Sequence, residues 1–139
     1  MTAEDVLIQK RVVVEFNEPG EWRSRDGTGN VRGRISRVIP MGDDHGLVVS
    51  LEKAESFKWI FAPRWMQEEY GIRTLGEMIV KQLWLIGRYE DDRTLDILTG
   101  NEIYVNIAAI PPRVDVSSSR FNPRRDLVGL GHGIVRLVI

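Results

Sequence analysis

The fifteen residues from Arg23 to Arg37, RSRDGTGNVRGRISR, hold five arginines (Arg23, Arg25, Arg32, Arg34 and Arg37) against one acid, Asp26. A guanidinium meets a phosphate or carboxylate with two parallel hydrogen bonds, whereas a lysine acts as a point charge. The whole chain favours the first kind of cation, with fifteen arginines to four lysines. Trp22 adjoins the cluster, and an aromatic ring beside arginines suits stacking on bases. The chemistry expected here is anion binding by Arg23, Arg25, Arg32, Arg34 and Arg37, with Trp22 as a stacking platform.

The glycines of the same stretch, Gly27, Gly29 and Gly33, form G-x-G-x-x-x-G. A phosphate-cradling glycine loop follows a strand and opens a helix. These glycines lead instead into Val31–Ile39, where apolar and polar residues alternate, so they read as the tip of a hairpin. Arg32 and Arg34 then project from the solvent face beside Ser36, and Arg23 and Arg25 rise on the other arm. Val31, Ile35 and Ile39 face inward.

Other reactive side chains are sparse. His45 follows Asp43 and Asp44, but neighbours in an extended chain point to opposite sides, so a polar turn is the simpler reading. His132 stands between Gly131 and Gly133, exposed by them, with Asp126 as a possible acid–base partner. Two histidines without H-x-x-x-H spacing, and no cysteine, do not assemble a zinc site. Ser117–Ser119 lacks the G-x-S-x-G elbow of a nucleophilic serine. Glu68-Glu69 and Asp91-Asp92 read as solvated acid pairs, because a catalytic dyad needs convergence in a cleft. No cofactor and no metal are expected. A separate group, Trp65, Met66 and Tyr70, has the composition of an interface anchor.

Period-two patterns dominate the elements that must position these residues. Val6, Ile8, Val12, Val14 and Phe16 share a face; residues 47–53 and 57–61 alternate again, with Trp59 in the second run. Pro40–Gly46 reads as a turn-rich connection. Pro63–Tyr70 followed by Gly71 suggests a short helix. Thr74 and Glu77 have capping-box spacing, with Leu75, Ile79 and Leu83 on one helical face passing into a strand near Gln82. Trp84 falls on an apolar strand. Arg93–Leu98 reads as a strand, as do residues 103–107 and Ile134–Ile139. Val116–Pro123 reads as an exposed polar connection.

The 139 residues carry a net charge of −1 and suit a single β-rich domain over residues 1–139. The expected fold is mainly β, a small antiparallel barrel or sandwich with one or two short helices around residues 63–81. The run Leu83 to Ile107 is similar to SH3-like or Sm-like barrels, a likeness of fold without a diagnostic motif. The apolar last strand is expected to close the barrel or to pair with a second subunit. No apolar run is long enough to span a bilayer. Acids at Glu4 and Asp5 argue against a signal peptide, which gives a cytoplasmic protein with no membrane partner. Two functions lead: a non-enzymatic module presenting residues 23–37 to a polyanion, foremost nucleic acid, or an assembly subunit that forms a homo-oligomer or meets an acidic protein surface. An acid–base enzyme using His132 or His45 stands third.

Overall fold

A computed structural model describes residues 3–16, 30–57, 64–72, 78–87 and 93–138; for residues 3, 4 and 64–66 it describes the backbone alone. Six strands follow in chain order: β1 (Arg11–Phe16), β2 (Asn30–Met41), β3 (Asp44–Phe57), β4 (Met78–Gly87), β5 (Ile103–Ala109) and β6 (Val128–Leu137). Each pairs antiparallel with the next, and β6 returns to β1, giving a closed barrel. The single closed sheet replaces the sandwich alternative. The last strand is satisfied on both sides by β5 and β1, which leaves it no free edge.

Alternation builds the interior. Val12, Val14 and Phe16 of β1 meet Val31 and Ile35 of β2, Leu47 and Val49 of β3, Leu83 and Leu85 of β4, Val105 and Ile107 of β5 and Val135 of β6. Phe16 and Phe57 pack with ring centroids 5.5 Å apart. Two side chains from outside the strands join this core. Leu7 comes from α1 (Ala3–Leu7), and Ile97 from a 3-10 helix (Thr94–Thr99). Both segments had read as strand. Val6 lies in α1 and Ile8 in the turn after it, and the N–H of Gln9 then donates to the Ile35 carbonyl at 2.7 Å. In the coiled 93–98 run, Thr94 bonds Asp44, described below, and Ile97 enters the core.

Three further expectations change. Residues 47–53 belong to one long strand that runs on to Phe57, because the departure from regular pairing between Ser50 and Glu55 is a β-bulge rather than a turn. His45 lies within that strand, opposite Pro40, and the connecting turn shrinks to Gly42-Asp43. Ile79 and Leu83 lie in β4, which begins at Met78 rather than near Gln82. Sheet pairing with Ser56 and Val49 overrides their helical spacing. The Thr74–Glu77 box, Trp59 and Asp91-Asp92 lie outside the described residues. The helix after Pro63 is present as α2 (Arg64–Tyr70), ending at Gly71.

A second apolar cluster sits on the outside of the barrel wall. Val48 and Trp84, cross-strand partners, point outward. Residues 110–127 form a strap over them, bringing Ile110, Val116 and Leu127 into contact. Phe121 packs on Trp84 with centroids 5.2 Å apart and planes at 55°. Within Val116–Pro123, Ser117–Arg120 and Asn122 are exposed, as expected of a polar connection, while Val116 and Phe121 anchor it to the barrel wall. Gly46 has no side chain because the Trp84 ring lies where a Cβ would go. The strap ends in α3 (Pro123–Asp126), whose N-cap Asn122 accepts from the Arg124 N–H at 3.0 Å.

Candidate anion-binding face

Strand β2 carries the described half of the arginine cluster. Val31, Gly33 and Ile35 point inward while Arg32 and Arg34 are exposed on the outer face. Continued alternation would turn Arg37 into the core. A bulge at Ser36 prevents this, with Ile35 opposite Val49 and Arg37 opposite Val48. The Ser36 hydroxyl donates to the Val48 carbonyl at 3.2 Å across the irregularity. The extra residue shifts the pleat by one. Val38 becomes the buried residue, and Ile39 joins the outer cluster instead of the interior. All three arginines thus remain exposed.

Gly33 is not part of a hairpin tip. It lies mid-strand between Val12 and Leu51, where a Cβ would come 2.5 Å from the Ser50 carbonyl oxygen and 2.6 Å from a Val49 methyl. Close approach of β3, rather than turn geometry, demands glycine there. Trp22, Arg23, Arg25, Gly27 and Gly29 lie outside the described residues.

Strand pairing adds arginines that are distant in sequence. Arg11 of β1 sits directly opposite Arg34, and Val13 sits between Arg32 on one side and Arg136 of β6 on the other. Val13 is 3% exposed although it occupies an outward position. Its cross-strand neighbours Arg32 and Arg136 are exposed, and arginine stems can cover apolar surface while their charged heads stay in water. Arg136 is bonded to Glu102 at 3.3 Å. Among the described residues, Arg11, Arg32 and Arg34 make no ion pair. Glu15 is the acid on the outer face of β1, one pleat repeat beyond Val13. Arg11 and Arg136 escaped sequence reading because only strand pairing relates them to residues 32–34. The signal available was the alternation of Arg11 with Val12 and of Arg136 with Val135.

The remaining candidates separate. The carboxylate of Asp44 accepts from the N–H groups of His45 (2.7 Å), Thr94 (3.0 Å) and Gly87 (3.1 Å), and the Thr94 hydroxyl lies 2.8 Å away. That carboxylate is a structural anchor for the 3-10 helix, and Thr94 is fully buried against it. His132 is exposed on β6 opposite Asn106. The suggested His132–Asp126 couple is not made. Asp126 instead bonds Arg125 at 2.9 Å and accepts from the Asn122 N–H, and Arg125 followed by that N–H holds its carboxyl below the usual value. Tyr70 is 66% exposed at the end of α2; Trp65 and Met66 lie in that helix, where only the backbone is described. No group of three or more metal-ligating side chains converges among the described residues. Among these residues no helix is long and apolar enough to cross a membrane.

Between β2 and the strap lies a cavity of about 450 Å³. Its lining is mixed, with Ile39, Met41, Phe121 and Trp84 on the apolar side and Arg37, Ser117 and Ser118 on the polar side. Asp115 is adjacent. The Ser117 hydroxyl (2.6 Å) and N–H (3.0 Å) bond its carboxylate and hold it below the usual value, with Arg37 a smaller influence in the same direction. No family model matches the sequence, and no curated protein or solved structure is significantly similar to it.

Proposed function

We propose that this barrel is a non-enzymatic module whose outer face on β1 and β2 binds the phosphates of nucleic acid. The observation that carries this reading is the in-register juxtaposition of Arg11 and Arg34, with Arg32 one pleat repeat away and no ion pair to any of the three among the described residues. Like charges directly opposite on a sheet are destabilising. A phosphate backbone removes that penalty, and each guanidinium can fork onto it. Contacts to phosphate alone recognise backbone and not sequence. The net charge of −1 confines the attraction to this face and supports modest, salt-sensitive binding. Such a role fits a cytoplasmic protein.

The test is fluorescence anisotropy with a labelled single-stranded oligonucleotide at several salt concentrations. Three phosphate contacts give a log–log salt slope of about −2, since each contributes about 0.7 for a single strand. Arg32→Glu with Arg34→Glu removes binding while circular dichroism shows an intact barrel. Equal binding by this variant overturns the proposal. So does absence of binding by the wild-type protein at low salt, which leaves an acidic protein surface as the partner to seek.

A further inference from the structure

The geometry points to a second site, the cavity between β2 and the strap, as a binding site for a small amphiphile with one anionic headgroup and an aromatic or short aliphatic body. This inference uses Arg37 and the strap and is independent of the nucleic-acid reading on Arg11, Arg32 and Arg34.

The volume of about 450 Å³ falls in the range of small-molecule sites, which are mostly apolar with a few placed polar groups. The body of the ligand is set by the walls. Ile39 and Met41 of β2 and Phe121 of the strap, all partly exposed, form the apolar part of the lining. They belong to the outer cluster that packs on Trp84. The sign of the headgroup is set by Arg37, the charged side chain lining the cavity. It makes no ion pair among the described residues. The neighbouring Asp115 makes no ion pair with it, although Arg37 acts on that carboxylate from a distance. Ser118 supplies a second polar group. Its oxygen accepts from the Arg120 N–H at 3.2 Å, which leaves the hydroxyl proton to donate to an anion. A guanidinium and a hydroxyl together suit a carboxylate or sulfonate oxygen pair.

The experiment titrates the full chain with 8-anilinonaphthalene-1-sulfonate and, in parallel, with N-phenyl-1-naphthylamine, the same body without the charge. The sulfonate is expected to bind at one saturable site with blue-shifted emission. Near-UV circular dichroism of the tryptophans should keep its folded form. Arg37→Ala weakens the sulfonate roughly ten-fold, about 1.4 kcal/mol, and leaves the neutral probe unchanged. Met41→Trp, which fills the cavity, weakens both. The inference is overturned if no saturable binding occurs, if the probe loosens the fold, or if Arg37→Ala affects the two probes alike. Because Arg32 and Arg34 are untouched in these variants, retained oligonucleotide binding separates the outcome here from that of the arginine face.

Discussion

At the scale of single residues, Asp44 shows how a reactive side chain can be consumed by architecture. Its two oxygens receive three backbone N–H groups and lie within reach of a buried hydroxyl, so little acceptor capacity is left for chemistry. Hydrogen bonds to a charged group contribute about 1.5–3 kcal/mol each. Asp44→Ala should therefore lower the unfolding free energy by at least about 2 kcal/mol, measured by urea denaturation. Thr94→Val should cost less, and the double variant less than the sum, because both remove one network. Additive effects would show that Asp44 and Thr94 act separately. In the sequence Asp43-Asp44-His45 reads as a polar turn, of which only Asp43 lies in the turn, and the partner of Asp44, Thr94, is fifty positions away in a run that reads as strand. Gly33 is a parallel case. Its residue type is visible in the sequence, whereas the reason for it, the carbonyl of Ser50, appears only once β3 is in place.

At the scale of elements, the alternating runs at 31–35 and 103–107 were legible because each strand has one buried and one more exposed face over those residues, whereas at 12–14 and 47–49 Val13 and Val48 are buried on the outer face as well. Legibility stops where the period breaks or where both faces are covered. The Ser36 bulge inserts one residue and reverses the assignments of Val38 and Ile39. The strap covers the outer face of β4, so Leu83, Trp84 and Leu85 are all buried and period two disappears. The strap also has a pH dependence. Asp115 and Asp126 both have folded-state carboxyls held below the ordinary value of 3.8, by Ser117 in one case and Arg125 with Asn122 in the other. A depressed carboxyl contributes stability that is full above its unfolded value and lost as pH falls through the folded one. Acid titration should accordingly change the near-UV signal of Trp84 below about pH 4 while far-UV strand signal persists. Coincident loss of both signals would mean that the strap has no separate acid sensitivity.

At the scale of the whole molecule, five of the six ladders join strands that follow one another in the chain, and only β1–β6 does not. Val12 pairs with Leu137 and Val14 with Val135, so the ring closes between its most distant parts. The same closure brings Arg136 beside the face that the β1–β2 ladder forms from Arg11, Arg32 and Arg34, which is why this arginine face was only half visible in residues 23–37. It also bears on rates. Pairing of distant segments is reached after the loop-closure entropy of everything between them has been spent, and contacts made after the transition state govern unfolding more than folding. Val135→Ala, a truncation in the closing ladder, should steepen the escape from the native state, raising the unfolding arm of a chevron plot and leaving the refolding arm nearly unmoved. A slowed refolding arm would place closure early. The ladder that completes the ring is then the clasp that sets how long the folded molecule lasts, and the five local ladders set how quickly it forms.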